Sequence, residues 1–322
     1  MAEIRPTIGV IGAGVTGTAL AYQLFRKGYR VIAVNSRTLT SAQRLASFVT
    51  GCTICNTPQQ VADMAQAIFI TTPDDKIAGI AAAINWHASQ FVIHCSGVHS
   101  TNILEPARAC SAFTCCLHPL QTFASIEEAI HNMHGSTFAL EGDPEALAVA
   151  DEMVVALEGN VIHLKASDKI LYHAAATILS NYLVTLMKTA ADLWHAFGIE
   201  QEDAIRAMLP LVKGTVNNIE RVGIPGCLTG PIARGDIGTI KKHIQALGQE
   251  APGALEAYCT LGLQTIPIAL AKGRIGLETA AEIRAALEGK ATFSESDYSD
   301  LYTMLGLDFG AGSANQPENK QT

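Results

Sequence analysis

The sequence has few charged residues and no cluster of basic ones. Only 16% of its 322 residues are charged, and 22 lysines and arginines stand against 30 aspartates and glutamates, giving a formal net charge of −8 at pH 7. Nucleic-acid binding depends on clustered lysine and arginine side chains that contact phosphates. The sequence therefore predicts no nucleic-acid partner, and an anionic ligand would have to be bound by local groups.

A signal peptide and long uninterrupted apolar runs are also lacking. Residues 1–6 do not show the basic and apolar pattern of a signal sequence, and glycines interrupt the apolar stretch that begins at Ile8. No segment approaches the roughly 20 uninterrupted apolar residues of a membrane helix. We expect a cytoplasmic protein with no membrane partner.

Patterns typical of disulfides or metal sites are missing, although the chain has eight cysteines. Without a signal peptide, these cysteines are expected to be reduced. Cys52 and Cys55 form a single CxxC with no second pair at zinc-ribbon spacing, and the adjacent Cys115 and Cys116 suit a strand better than a metal site. We expect packing residues and no bound metal.

Two domains are predicted, because one domain typically spans roughly 100–200 residues. Between residues 7 and 164, short runs rich in isoleucine and valine alternate with helical patterns, which is typical of a mostly parallel sheet. These runs lie at 8–11, 31–34, 67–72, 91–95, 113–117, 137–140 and 161–164. We predict an α/β fold with a Rossmann-type dinucleotide-binding domain at residues 1–164.

The remaining sequence shows a helical pattern that is almost unbroken. Helices are predicted at 169–197, 201–221, 236–247, 252–272 and 277–287, with Ser167 or Asp168 as the N-cap of the first. We predict an all-α domain for substrate binding and dimerisation at residues 165–309. The polar segment 310–322 is predicted to be a disordered tail.

The strongest motif is a GxGxxG sequence at residues 12–17, which follows the first predicted strand and begins a helix. In this motif Gly12 permits a tight turn, Gly14 lets the backbone approach a pyrophosphate, and Gly17 lets the helix pack closely on the strand. The alternative is a purely structural glycine-rich turn. We predict that the whole loop binds a dinucleotide through Gly12, Ala13, Gly14, Val15, Thr16 and Gly17.

The end of the second predicted strand favours NADP over NAD. An NAD-binding domain usually places an acidic residue there against the ribose 2′-hydroxyl, whereas this chain has Ser36, Arg37 and Thr38. A guanidinium can pair with a 2′-phosphate, and the two hydroxyls can donate hydrogen bonds to it. The alternative is that Arg37 is simply a solvated residue at a strand end.

Two further strand ends are expected to line the cofactor cleft, since ligands of open α/β sheets bind at the carboxyl ends of the strands. Thr72 and Pro73 follow one strand, although the next residue, Asp74, is equally suited to be the N-cap of a helix. Ser96 and Gly97 follow the next strand, near the expected position of a nicotinamide. The alternative for this pair is an ordinary turn.

Three segments carry a family resemblance that covers nearly the whole chain. They are LHPLQTF at 117–123, KILYHAAA at 169–176 with the following SN at 180–181, and LTGPIARGD at 228–236. The chain resembles Rossmann-like oxidoreductases with a C-terminal domain of unknown function, numbered 2520. This group is related to ketopantoate reductase, 3-hydroxyisobutyrate dehydrogenase and pyrroline-5-carboxylate reductase. The resemblance implies NADP binding and a helical domain like the C-terminal domain of 6-phosphogluconate dehydrogenase.

The resemblance also suggests catalytic residues on the long helix. Better-known relatives carry a catalytic lysine there with an asparagine four residues later, and this chain has Lys169 and His173 at that spacing, on one helix face. Lys169 could protonate or stabilise the oxygen of a carbonyl being reduced, and His173 could relay the proton. The alternative places Lys169 in an exposed first turn and makes His173 a structural histidine.

Four other polar residues are candidates for the site. His118 is predicted in a loop after a strand, where functional residues are common, with a structural role as the alternative. Ser180 is a candidate substrate contact, and Asn181 either binds the nicotinamide amide or caps a neighbouring helix. Arg234 either binds an anionic substrate or is solvated, and Asp236 is predicted to cap the helix that follows.

These features predict an NADPH-dependent enzyme that reduces a carbonyl or imine of a small, anionic metabolite by hydride transfer in the interdomain cleft. The alternative is a non-catalytic NADP-binding regulator or scaffold. A homodimer through the helical domain is also predicted, because the long apolar helix after residue 169 carries more hydrophobic surface than one small domain can cover.

Overall fold

The structure of the protein is a computed structural model that describes residues 5–290. The chain divides into two compact units, the first ending at Leu183 and the second beginning at Val184. The domain boundary between residues 164 and 165 stays a prediction. The predicted tail at 310–322 lies outside the described residues.

The first unit contains a single β-sheet, whose order is β3-β2-β1-β4-β5-β6-β7-β8. Neighbouring strands are parallel except for the antiparallel pair of β6 and β7. The predicted α/β fold with a mostly parallel sheet is therefore confirmed. The described strands are β1 (Ile8–Ile11), β2 (Val31–Asn35), β3 (Thr53–Ile54), β4 (Ala67–Ile70), β5 (Phe91–His94), β6 (Phe113–Leu120), β7 (Thr137–Gly142) and β8 (Asn160–His163).

Helices cover both faces of this sheet, which is why its central strands are continuous apolar runs. Alternate residues of β1 face opposite sides: Val10 packs in one hydrophobic cluster and Ile11 in a second. The described helices of this unit are α1 (Val15–Arg26), α2 (Leu39–Phe48), α3 (Pro58–Met64), α4 (Asp74–Ala83), α5 (Glu105–Ala109), α6 (Ile126–Asn132), α7 (Pro144–Ala156) and the first half of α8 (Lys169–His195).

The second unit is helical throughout its described residues. Its core packs Ile240, Ile266 and Ile283 together. Asp236 caps the N-terminus of the helix that follows it, as predicted, because its Oδ1 accepts a hydrogen bond from the Thr239 N–H at 3.0 Å. The described helices are α9 (Gln201–Val222), α10 (Pro231–Arg234), α11 (Ile237–Glu250), α12 (Pro252–Ala271) and α13 (Leu277–Leu287).

Several local predictions are wrong. His118 lies within β6 and not in a loop after it. Pro73, not Asp74, is the N-cap of α4, and Asp74 is its first residue. Neither Ser167 nor Asp168 caps α8, because both belong to a short 3₁₀ turn that leads into it. The strand β3 is absent from the predicted set, since two residues are too short to show an apolar pattern.

Two helices have the length and apolar composition of a membrane span, contrary to expectation. They are Ala166–His195, with a mean hydropathy of 1.3, and Pro252–Ala271, with 1.2. The second contributes Ile266 and Ala269 to the core of its unit. Length and composition alone are weak evidence, because long packing helices of soluble proteins meet the same criteria. The cytoplasmic location stays a prediction.

Candidate active site

The glycine loop joins β1 to α1, and its three glycines differ in their surroundings. Gly12 has φ +107°, which favours glycine. A Cβ on Gly17 would lie 2.2 Å from the Gly12 carbonyl oxygen and 2.3 Å from Thr71 Oγ1, so only glycine fits. A Cβ on Gly14 would meet nothing within 4 Å. The fold needs Gly12 and Gly17, whereas Gly14 presents bare backbone to open space.

The N-terminus of α1 provides free backbone donors next to this space. Gly14 is its N-cap and supplies no side chain to bond them. The loop itself is held on both sides, because the Gly12 N–H donates to the Asn35 carbonyl at 2.8 Å and Thr71 Oγ1 donates to the Gly12 carbonyl at 2.6 Å. Such a fixed helix N-terminus binds anions through its N–H groups and its dipole.

The segment after β2 lies beside the loop. Ser36 Oγ accepts a hydrogen bond from the Ala13 N–H at 3.4 Å. Thr38 is the N-cap of α2, and its hydroxyl donates to Ser41 Oγ at 2.8 Å. The Arg37 side chain is exposed. The structure thus places one cation and three hydroxyls at the end of β2.

The ends of β4 and β5 also reach this edge of the sheet. Thr72 Oγ1 is buried without a hydrogen-bond partner among residues 5–290, so it can bond a ligand, while Pro73 is exposed. Ser96 is buried, and its hydroxyl already donates to Asp74 Oδ2 at 2.8 Å. Ser96 therefore shapes the turn after β5 with its side chain.

A cluster of three ionisable side chains lies beside that turn. His118 Nδ1 is 2.8 Å from the Tyr172 hydroxyl, and the rings meet edge to face at 89°. The His173 ring is 6.2 Å from that of His118. Gly97 lies against both histidines: a Cβ there would be 2.5 Å from His173 Cδ2 and 2.8 Å from His118 Nε2. The β5 turn, β6 and α8 thus converge on one polar cluster.

Lys169 faces the same turn but is fully covered. Its side chain is 1% exposed, and its Nζ donates to the Ser96 carbonyl at 2.9 Å and contacts Cys116 Sγ at 2.8 Å. The alternative of an exposed first-turn lysine is wrong. Lys169 and His173 do share a helix face, as their spacing predicts, but the ammonium group contacts protein atoms.

Burial and charge set the protonation states in this cluster. Burial, together with the neighbouring Lys169 and His173, lowers the pKa of His118 to about 4. Burial raises the pKa of Tyr172 above its ordinary value. At neutral pH, His118 is therefore uncharged and Tyr172 keeps its proton. The pair holds a transferable proton without a net charge.

The other predicted residues lie further along α8 or in the second unit. The Ser180 hydroxyl has two possible acceptors, the Ala176 carbonyl at 2.8 Å and Asn181 Oδ1 at 2.9 Å, both on α8 itself. Asn181 is exposed, as is Arg234 in the second unit. The substrate contacts proposed for these three residues stay predictions.

Tyr172 is the site residue that the sequence analysis missed. It lies three residues after Lys169, close to one helical turn, so helical spacing places it on the same face as that lysine. That spacing was the available signal. Within residues 5–290 the structure shows no group of three or more His, Cys, Asp or Glu side chains arranged to bind a metal ion.

The strand order, the parallel pairing of β1 with β2 and β4, and the glycine turn together define a Rossmann-type domain. Comparison with family models agrees. Residues 1–119 match the Rossmann-like domain, and residues 136–265 match the domain of unknown function DUF2520. The chain therefore combines a Rossmann-like domain with a DUF2520 domain, which confirms the resemblance seen in the sequence.

Solved structures show the same fold. One from Bacteroides fragilis, described as a candidate NADP oxidoreductase, is 25% identical, with a TM-score of 0.65 over 81% of this chain and 97% of its own. An imine reductase from Pseudomonas sp. is 16% identical, with a TM-score of 0.56 over 94% and 100%. A reductive aminase from Aspergillus terreus, solved with NADPH and ethyl-5-oxohexanoate, is 17% identical, with a TM-score of 0.56 over 93% and 100%. No curated protein is significantly similar in sequence.

Proposed function

We propose that the protein is an NADP-dependent oxidoreductase that reduces a carbonyl or imine group of a small metabolite. The observation that carries the proposal is the convergence of two features on the carboxyl edge of one sheet. The glycine loop offers a phosphate site, and the His118–Tyr172 pair offers a proton. The solved structures of similar fold include proteins described as an NADP oxidoreductase, an imine reductase and a reductive aminase.

The residues present fit NADP. The open space at Gly14 and the N–H groups of α1 suit the pyrophosphate, and the unpartnered Thr72 hydroxyl can bond the cofactor. Arg37, with the hydroxyls of Ser36 and Thr38, would hold the 2′-phosphate. NADPH, when bound, supplies the hydride.

In the proposed reaction Tyr172 gives its proton to the carbonyl oxygen or imine nitrogen as the adjacent carbon receives the hydride. His118 Nδ1 carries a hydrogen in this mechanism and donates it to the Tyr172 oxygen, which stabilises the developing phenolate. As Nδ1 passes this hydrogen on to the Tyr172 oxygen, Nε2 takes up a proton from solvent water, so the imidazole changes tautomer and both side chains end uncharged. Because residue 97 is a glycine, the rings of His118 and His173 can lie close to the backbone there.

The anionic character predicted for the substrate rests on Arg234, whose side chain is exposed. We propose that this arginine binds an anionic group of the substrate, because a guanidinium binds carboxylates in a bidentate way.

Incubating the protein with NADPH and a panel of 2-keto acids, 3-keto acids, neutral ketones and cyclic imines tests the function. NADPH oxidation with a carbonyl or imine compound is expected. Tight NADPH binding without oxidation by any class would favour the alternative, a non-catalytic NADP-binding regulator.

Cofactor preference tests the role of Arg37. Arg37→Ala should lose most of the preference for NADPH over NADH, roughly tenfold or more, because a charged hydrogen bond contributes about 1.5–3 kcal/mol. Calorimetric titration with both cofactors measures it. Arg30→Ala is the matched control, since Arg30 is exposed and precedes β2, whereas Arg37 follows it. Equal affinities of the parent protein for the two cofactors would contradict the assignment.

We also propose that the protein is a homodimer in which a second copy covers α8 and α9. Both helices carry large apolar side chains that are exposed along their lengths. Large apolar side chains left exposed in this number are typical of a protein interface. The exposed residues include Leu171, Leu179, Tyr182, Val184, Leu211, Val216 and Val222.

A charge on α8 should therefore weaken self-association. Leu179 is 77% exposed, and Leu179→Glu should shift the protein toward a monomer, as measured by size-exclusion chromatography with light scattering. Val155→Glu on α7 is the control, because Val155 is 70% exposed and belongs to neither helix of the proposed interface. A parent protein that is monomeric at micromolar concentration would exclude the dimer.

A further inference from the structure

Lys169 is a buried cation whose contacts are all with the protein. Its Nζ lies 2.9 Å from the Ser96 carbonyl oxygen and 2.8 Å from Cys116 Sγ, and the side chain is 1% exposed. A buried charge is costly unless it is well hydrogen-bonded. The two hydrogen bonds of the ammonium group hold separate segments of the fold together.

The Ser96 carbonyl to which Lys169 donates belongs to a tightly fixed turn. The Ser96 N–H donates to His94 Nδ1 at 3.1 Å, and its hydroxyl donates to Asp74 at 2.8 Å and accepts from the His99 N–H at 3.1 Å. Cys116 Sγ, on the neighbouring strand β6, also donates to the Ser96 carbonyl at 3.2 Å. Lys169 therefore joins the first residue of α8 to the turn after β5 and to the middle of β6.

The position of Tyr172 follows from this junction. Tyr172 lies three residues further along α8, close to one helical turn, and reaches His118 two residues beyond Cys116 on β6. Gly97, which follows Ser96 in the same turn, lies close to the rings of His118 and His173. A shift of α8 along the sheet would separate the Tyr172 hydroxyl from His118 Nδ1.

We propose that Lys169 is a positioning residue that fixes the start of α8 on the Ser96 turn, so that Tyr172 meets His118, and that it does not touch the substrate. This inference rests on the proposed function, in which the His118–Tyr172 pair delivers the proton. It assigns to the lysine of the long helix a role different from the catalytic one that the resemblance implies.

The ammonium group also acts on His118 electrostatically. The groups that face His118 are Lys169, Tyr172 and His173 on α8, Asp74 at the start of α4, and His94 on β5. Burial lowers the pKa of His94 to about 3, so it is uncharged, and Asp74 acts in the opposite sense to Lys169. Loss of the ammonium should therefore raise the pKa of His118.

Amine labelling followed by mass spectrometry tests the burial on the unmodified, cofactor-free protein. Lys169 should remain unlabelled under native conditions while Lys241, exposed on α11, is labelled, and adding NADPH should leave both unchanged. Labelling of Lys169 at a rate similar to that of Lys241, with protection by NADPH, would overturn the proposal and favour a lysine that faces the ligand site.

NMR titration of His118 in the cofactor-free protein tests the electrostatic role. In Lys169→Met, which keeps the length of the side chain, the pKa of His118 should rise from about 4 to above about 5, since a nearby charge shifts a pKa by about one or more. In Lys169→Arg, which keeps the charge, it should stay low. An unchanged His118 pKa in the methionine variant would contradict the assignment. Both readouts are independent of turnover, so they can fail or succeed separately from the proposed activity.

Discussion

Replacement of Tyr172 by phenylalanine is expected to lower turnover by roughly 10²–10⁴-fold, the usual contribution of a positioned general acid. The substitution removes only the hydroxyl that lies 2.8 Å from His118 Nδ1 and keeps the ring that packs edge to face on His118. NADPH affinity should change little, because the phosphates are bound at the glycine loop. Steady-state rates with a substrate from the screen, together with calorimetric NADPH affinities, measure both effects.

Tyr258→Phe provides the matched control for this prediction. The Tyr258 hydroxyl lies 2.9 Å from His243 Nδ1 and the two rings meet edge to face at 82°, but this pair is not part of the proposed site, so loss of the hydroxyl should leave the rate unchanged. A Tyr172→Phe variant that turned over substrate at the parental rate would remove Tyr172 from the mechanism. His118→Ala should then be examined as the direct proton donor.

Gly14→Val is expected to abolish measurable NADPH binding while the protein stays folded. Gly14 has φ −76°, which any residue adopts, and a Cβ there meets no atom within 4 Å. The branched side chain would instead occupy the space where a pyrophosphate must approach the backbone. We expect affinity to fall at least about 100-fold, or about 2.7 kcal/mol.

Gly79→Val is the control for this prediction, since a Cβ on Gly79 of α4 would also meet no atom within 4 Å. It should bind NADPH as the parent does. Thermal unfolding should show that both variants remain folded, whereas Gly17→Val should be strongly destabilised by contacts at 2.2 and 2.3 Å. Parental affinity in Gly14→Val would mean that the loop is not the phosphate site.

Most of the sheet could be predicted from the sequence, because its strands are buried on both faces and read as continuous apolar runs. The strand β6 shows the limit. Pro119 suggested a loop at His118, but β6 pairs with β5 only as far as Cys116, and Pro119 pairs with β7 alone. The side of the strand that faces β5 is therefore unpaired at Pro119, where a missing N–H is tolerated.

The candidate site could be predicted only in part. Helical spacing places Lys169 and His173 on one face, and that face does meet the Ser96–Gly97 turn. The burial of Lys169 depends on the turn after β5 and on Cys116, which are distant in sequence, so spacing could not indicate it. The pairing of Tyr172 with His118 joins residues 54 apart and arises from tertiary packing in the same way.

Transfer of deuterium from NADPH that carries deuterium at both nicotinamide C4 positions tests the central claim most directly. The labelled cofactor would be incubated with the parent protein and with Tyr172→Phe in the presence of the keto acids, ketones and cyclic imines. The account predicts that deuterium appears on the former carbonyl or imine carbon of at least one compound with the parent protein, and far more slowly with the variant. Tight binding of the labelled NADPH, with no deuterium transferred to any compound, would contradict it.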